Sequence, residues 1–321
     1  MTSPRTHWRY ADSYDFMEQT RAGMPPMIIC CACNGGIQGR EANPAIPETP
    51  AEIAASVEAA YDAGAAMVHV HARKPDLLWR PADTAEVWLE VNARIRERCP
   101  DIIINNTTGG GPGMTHEQRL KSLDGRPEVA SLNTSPDMSK YRIKPRPAPL
   151  PNPHDGFEID ECVAFTYGDI EHFAAEMQAR NIKPEFEVYH SGGAQVVQHL
   201  IRLGLVKGPY WVQTVMGSQT ASYPTPDNLI SLLREFPEDA IWLASGIGQF
   251  QLPMTAMATL MGGHVRVGLE DNVYYARGEL AQSNRQLVER AARLGKEMNR
   301  TIATPAQARA ILGLSAIPSS Y

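Results

Sequence analysis

Eight apolar, β-branched runs recur along this chain, each followed by a stretch with helical periodicity. The runs span 27–33, 66–71, 102–106, 129–133, 185–189, 211–215, 241–245 and 265–269. The helical stretches span 49–63, 84–98, 115–123, 169–180, 192–203, 225–236, 253–260 and 279–298. Strands that are apolar on both faces belong in a sheet covered on both sides, and a helical crossover carries one parallel strand to the next. Eight such units predict an α/β fold, a (β/α)8 TIM barrel. An open doubly wound sheet is the alternative. It requires a phosphate fingerprint after the first strand, and Asn34-Gly35-Gly36-Ile37-Gln38-Gly39 does not match G-x-G-x-x-G.

Helix signals support the alternation. Thr49-Pro50-Ala51-Glu52 offers an N-cap, a proline at the first helical position and an acid two residues on. Thr225-Pro226-Asp227 and Thr304-Pro305-Ala306 repeat the cap-then-proline start, and Gly64 stands where a helix would end. Two segments depart from the pattern. Residues 1–26 form an N-terminal extension with Trp8, Tyr10, Tyr14 and Phe16, suited to plugging the barrel bottom or packing on a neighbouring subunit. The chain from 27 to 321 is expected to be a single barrel domain, with no internal repeat. Within it, a long connection from 136 to 164 carries six prolines and leaves from the catalytic end after the fourth strand. A lid, a subunit-contact arm and a disordered insertion are the alternatives for it.

In a barrel, polar residues at the strand C-termini line the active site. Those ends read Cys33-Asn34, His69/His71, Asn106-Thr107-Thr108, Ser131/Asn133, Tyr189-His190, Gln213, Ser245 and Glu270-Asp271. Residues two apart on a strand share a face. His69 and His71 therefore aim together, and Arg266, Gly268 and Glu270 share one face of the last strand. Two imidazoles and a carboxylate with an open fourth position are what a catalytic zinc requires, so His69, His71 and Glu270 are the candidate ligands. The bland alternative is a pair of core histidines satisfied by backbone carbonyls.

The net charge of −6 argues against a nucleic-acid-binding surface. No apolar run approaches the roughly 20 residues that span a bilayer, and Met1 to Trp8 holds no apolar signal core. No membrane partner and a cytoplasmic location are expected. The five cysteines do not suggest a disulfide framework. Cys30 and Cys33 have C-x-x-C spacing, but an odd offset on a strand sends them to opposite faces. Cys31 and Cys33 share a face that could look toward the site, although inert buried thiols are the usual outcome.

Five stretches together carry a family resemblance. They are His69-Val70-His71-Ala72-Arg73, Thr107-Thr108-Gly109-Gly110, residues 127–133, residues 184–189 and residues 262–272. In combination they resemble the β-keto acid cleavage enzymes, whose type member acts on 3-keto-5-aminohexanoate. The resemblance runs from about Met27 to Leu312. It implies a zinc-dependent barrel that converts a β-keto acid and acetyl-CoA, as co-substrate, to acetoacetate and a new acyl-CoA. It implies His69, His71 and Glu270 as zinc ligands, Asp271 as the catalytic carboxylate and Arg266 as its assistant. The family's pair of site hydroxyls falls on Thr107 and on Ser131, where the type member has threonine. A homo-oligomer, dimer or tetramer, is expected.

The chemistry agrees with the residues. A metal can chelate a 1,3-dicarbonyl unit and ease enolate formation, and a nearby carboxylate can take the α-proton. Arg266 could hold Asp271 ionised, bind a substrate carboxylate, or form only a structural ion pair. Asp271 could instead orient a liganding histidine. The loop Thr107 to Gly113 has the hydroxyls and glycines of an anion nest. Gly109, Gly110 and Asn133 join the expected substrate contacts, with a CoA phosphate or a plain turn as the alternatives for the loop.

One departure bears on specificity. The type member has a glutamate after its first strand that neutralises the substrate's ammonium, and Ile37 aligns with it here. His190 likewise stands where the type member has an acid. A non-cationic β-keto acid is therefore expected, with Gln38 and Arg40 near its tail. Two other classes compete: a zinc-dependent hydrolase on the same barrel, and a non-catalytic binding protein. Dependence on CoA separates the first, and metal content the second.

Overall fold

A computed structural model describes residues 13–321. Trp8 and Tyr10 lie outside the described residues. The eight expected strands all form: β1 (Ile29–Ala32), β2 (Met67–Val70), β3 (Ile103–Asn106), β4 (Val129–Asn133), β5 (Lys183–Val188), β6 (Tyr210–Met216), β7 (Ala240–Gly246) and β8 (His264–Val267). Each pairs in parallel with its sequence neighbours, and β1 closes on β8 to give a closed barrel. Helices cross between the strands, several with the expected caps. Thr49 Oγ1 accepts the Glu52 N–H at 3.3 Å while Glu52 accepts the Thr49 N–H. Thr225 and Thr304 also cap the helices that follow them.

Strand alternation sorts the core. Cys30, Met67, Ile103, Val129, Trp211 and Ile241 fill the lower barrel interior in one apolar cluster. Above it the interior turns polar, with His69, Asn105, Ser131, Glu185, Glu187, Gln213 and Arg266 all buried. The opposite strand faces pack under the helices. Cys31 and Cys33 belong there, in two outer clusters, so they turn away from the site. Cys30 is the inward thiol, and it lies in the apolar floor.

Three hairpins sit on the barrel's catalytic end. The proline-rich connection is one of them, an ordered antiparallel pair of Asp137–Ile143 with Phe157–Val163. A second, Tyr274–Ala276 with Glu279–Leu280, occupies the start of the helix expected at 279. That helix begins at Asn284 because Ser283 caps it, accepting the Gln286 N–H. In the amino-terminal helix Ser13–Ala22, Tyr14 is exposed and Phe16 packs against the main core.

The Asp137–Val163 hairpin is pinned at its far end by Arg146. This side chain is fully buried and bonds Glu48 through both terminal nitrogens, at 2.8 and 2.6 Å, and Glu41 at 2.7 Å. Removing one partner of a buried ion cluster leaves charge without compensation. Arg146→Met should therefore cost about 3–5 kcal/mol, read as a lower urea midpoint with an unchanged slope. Burial pushes the Glu48 carboxyl up, but the bonds from Arg146 and the Arg40 N–H and the charges of Arg73 and Arg146 together outweigh it and hold the group below its ordinary 4.5. Its contribution is thus present above that value and is lost as the pH falls through the depressed folded one.

Candidate metal centre and active site

His69 is the penultimate residue of β2, and His71 lies just past the strand's end. Asn34 extends the ladder there: its amide donates to the His71 carbonyl at 2.8 Å and its side-chain oxygen accepts the His71 N–H at 3.1 Å. This mimic of a strand holds His71 on the same face as His69. Arg73, also buried, donates to the carbonyls of Asn34, Gly35 and Gln38 and fixes the loop after β1.

Glu270 reaches the same point by another route. β8 stops at Val267, so alternation does not carry Glu270 inward as expected. Gly268 makes the turn at φ 151°, pressed so close that a Cβ would meet the Ala32 carbonyl oxygen at 2.0 Å. Only glycine fits there. Beyond it the Glu270 N–H returns to the Ala32 carbonyl at 3.2 Å.

The three side chains converge. The Nε2 atoms of His69 and His71 stand 3.6 and 3.3 Å from Glu270 Oε1. One ligand atom from each residue lies within 4.8 Å of the other two. Ligand atoms at two corners of a tetrahedron about 2.1 Å from a zinc are about 3.4 Å apart. The residues therefore fit the ion. Glu270 Oε2 is buried without a hydrogen-bond partner, as are both histidine Nδ1 atoms. Burial holds His69 well below its ordinary value, which keeps the imidazole neutral and its lone pair available. Burial would raise Glu270, but Arg266 and the histidines outweigh it and keep the carboxylate ionised.

Arg266 grips Asp271 with two bonds, Nε to Oδ2 and Nη2 to Oδ1, both 2.9 Å. Its Nη2 also donates to Glu270 Oε1 at 2.6 Å. Ser245 donates to Asp271 Oδ2 at 3.2 Å. Burial nonetheless raises Asp271 above its ordinary value, with Glu270 adding to the rise and Arg266 opposing it. A carboxylate so placed is a better proton acceptor than one in water.

These groups open into a cavity of about 410 Å³. Ile37, Thr107, Gly109, Gly110, Asn133 and Arg266 line it together with the three candidate ligands and Asp271. Asn133 Oδ1 has no partner, so a ligand could use it. Thr107 Oγ1 accepts the Gly109 N–H at 2.9 Å, so that amide of the expected nest is already engaged. Ser131 is not among the lining residues; its Oγ accepts the Thr108 N–H at 3.1 Å and its carbonyl accepts the Thr108 hydroxyl at 2.5 Å. It positions the threonine loop. Arg40 and His190 also lie off the lining; Arg40 pairs with Glu52 at 2.7 Å, and His190 stands at the N-cap position of the next helix with no side-chain cap bond.

Sequence reasoning gave Glu187 no role, yet it lines the cavity. Burial pushes it up to about 8, against the pull of Arg266, whose Nη1 is 3.6 Å away. It is thus largely a neutral acid at pH 7. Its inward parity with Glu185 on β5 was the available signal. Although a lid was one of the alternatives for the proline-rich connection, the side chains that roof the cavity were not named either. The Asp137–Val163 hairpin turns Asp137, Ser139, Tyr141, Ile159, Glu161 and Val163 toward it. No helix among the described residues is long and apolar enough to cross a membrane.

A family model described as beta-keto acid cleavage enzyme matches residues 26–314. The chain is 38% identical over 291 residues to the 3-keto-5-aminohexanoate cleavage enzyme of Fusobacterium nucleatum subsp. nucleatum, covering 91% of this chain and 99% of that one. It is 36% identical over 292 residues to the 3-oxoadipate:acetyl-CoA acetyltransferase of Cupriavidus necator, covering 90% and 95%. It is 35% identical over 298 residues to the 3,5-dioxohexanoate:acetyl-CoA acetone transferase of Paraburkholderia graminis, covering 90% and 96%. Among solved structures, the apo structure of ObcA superposes with a TM-score of 0.64 at 19% identity, over 84% of this chain and 66% of that one, a likeness of fold.

Proposed function

The chain belongs to the β-keto acid cleavage enzyme family, and from that premise we propose how its residues perform the reaction. The activity is an acyl transfer with C–C cleavage, in which a β-keto acid and acetyl-CoA give acetoacetate and a new acyl-CoA. One observation supports the assignment of roles above the others. Asp271, held at both oxygens by Arg266, stands beside a convergent His69–His71–Glu270 set in one cavity.

In our reading His69, His71 and Glu270 would hold a zinc ion, which would supply Lewis-acid stabilisation of developing negative charge. Asp271 takes the α-proton of the keto acid at one carboxylate oxygen. Arg266 aims that carboxylate and offsets its charge. The α-carbon then attacks the acetyl thioester carbonyl and expels the CoA thiolate. The thiolate attacks the original keto carbon, and the old C–C bond breaks. The released carbon regains its proton from Asp271, so acetoacetate and acyl-CoA leave with no net change in protons. Thr107, Gly110 and Asn133 hold the substrate carboxylate, and Ser131 acts through Thr108.

The test is a panel of β-keto acids incubated with and without acetyl-CoA, read by mass spectrometry. New acyl-CoA products that require acetyl-CoA support the reading. Cleavage that proceeds equally without it would identify the zinc-dependent hydrolase instead.

The substrate we propose is non-cationic. Ile37 lines the cavity, and an ammonium beside it would be desolvated without a partner. Arg40 and His190 no longer bear on this, since neither faces the cavity. Ile37→Glu should move kcat/KM toward 3-keto-5-aminohexanoate relative to 3-ketohexanoate. A wild-type preference for the amino compound would contradict the role given to Ile37.

A further inference from the structure

Arg119 and Arg266 are the arginines in the cavity wall. Arg266 is committed to Asp271 and Glu270. Arg119 is not committed to any carboxylate. It stands in the first turn of the helix His116–Asp124 and is 3% exposed. Its Nε and Nη2 donate to the carbonyls of Met114 and Gly111, at 3.2 Å each. Among the described residues Nη1 has no hydrogen-bond partner, and no carboxylate stands within ion-pair distance of the guanidinium. The acids of the roof are engaged elsewhere. Glu161 accepts the Gly113 N–H at 3.1 Å, and Asp137 accepts the hydroxyls of Ser139 and Thr220 at 2.7 and 3.0 Å. Their charges reach Arg119, yet burial still holds it below its ordinary value. A buried cation without an ion-pair partner is costly, and an anion that completes the pair offsets that cost.

The free nitrogen lies against the glycine loop. A Cβ on Gly110 would meet Arg119 Nη1 at 3.2 Å and Cγ at 3.0 Å, so the side chain packs directly on that residue. The Gly110 carbonyl in turn abuts Gly36, where a Cβ would meet His71 Nδ1 at 2.8 Å. Two glycines therefore link the uncommitted charge to the candidate metal centre. Two anions come with the reaction, the carboxylate of the keto acid and the phosphates of CoA. The pantetheine arm keeps the phosphates far from the thioester that must reach the metal centre, so the carboxylate is the anion that fits.

We propose that Arg119 is a specificity-determining residue that supplies the positive charge selecting the substrate's carboxylate at the glycine loop. This rests on the proposed function and adds a residue to its carboxylate site. The guanidinium fixes Gly111 and Met114 through their carbonyls, and Nη1 is left to donate to the carboxylate.

The experiment measures the dissociation constants of acetoacetate, methyl acetoacetate and CoA on the zinc-loaded protein by calorimetry. The ester keeps the 1,3-dicarbonyl unit and lacks the negative charge. The wild-type protein should bind acetoacetate more tightly than the ester. Arg119→Met should weaken acetoacetate about 10- to 100-fold, the scale of a charge-assisted hydrogen bond, and leave the ester and CoA nearly unchanged. Glu161→Gln removes an opposing charge and keeps an oxygen for the Gly113 N–H. It should tighten acetoacetate and leave the ester unchanged, and it decides the matter alone if Arg119→Met does not fold. A structural role for Arg119 would weaken acid and ester together and leave their ratio in place, which would overturn the inference. Weaker CoA with unchanged acetoacetate would assign the charge to a CoA phosphate and would overturn it as well. Binding of neither acetoacetate nor CoA to the wild type would overturn the proposed function itself.

Discussion

Asp271→Asn should keep the fold and the metal and lose about 10² to 10⁴ in kcat, the usual effect of removing a general base. The amide has nearly the carboxylate's shape, and its oxygen can still accept one Arg266 donor. Its NH₂ group then faces the other donor, so one of the two 2.9 Å bonds is lost. A modest loss of stability should accompany the kinetic one. Exchange of the substrate's α-protons in D₂O isolates the step, because it needs only proton removal. It should fall in parallel with kcat. Near-normal turnover, or unchanged α-exchange, would show that Asp271 is only a partner for Arg266.

His71→Ala should remove most of the metal while the barrel still folds. The imidazole supplies one of three ligand atoms, and the remaining pair, His69 Nε2 and Glu270 Oε1, stands 3.6 Å apart with Arg266 on the same oxygen. Two ligands next to a bound guanidinium cannot hold a divalent ion well. The thermal midpoint should fall toward that of the metal-stripped wild type, because a ligand that binds only the native state stabilises it. Elemental analysis is the direct check. Full zinc occupancy in this variant would remove His71 from the ligand set, and a different metal in the wild type would correct the identity of the ion.

The barrel was legible because burial on both faces forces each strand into an apolar run. The His69–His71 pair was legible for a related reason, as period two carries them to one face. Glu270 was assigned on the same rule, but the route differs. β8 ends at Val267, and the turn at Gly268 delivers the carboxylate. The strand rule named the residue that does converge with the two histidines, but through a conformation it does not describe. Which of its alternatives the proline-rich connection takes stayed undecided in the sequence, for a physical reason as well. Its tip carries most of the six prolines of 136–153, and what holds that tip is a side chain bonded to residues about 100 positions away, Arg146 to Glu41 and Glu48. Local periodicity holds no trace of such a contact. Cys31 and Cys33 show the same limit: parity placed them together, but only the packing of the helices decides which face is outside.

The most direct measurement of the central claim follows the carbon atoms. Acetyl-CoA labelled with ¹³C in both acetyl carbons is incubated with an unlabelled β-keto acid, and the products are read by NMR and mass spectrometry. The account expects the label in carbons 3 and 4 of acetoacetate and none in the acyl group of the new acyl-CoA. It expects this transfer to stop when the metal is removed and to return when zinc is added back. Label remaining wholly in acetyl-CoA while the keto acid is cleaved would contradict it, since the C–C bond would then be breaking without acyl transfer.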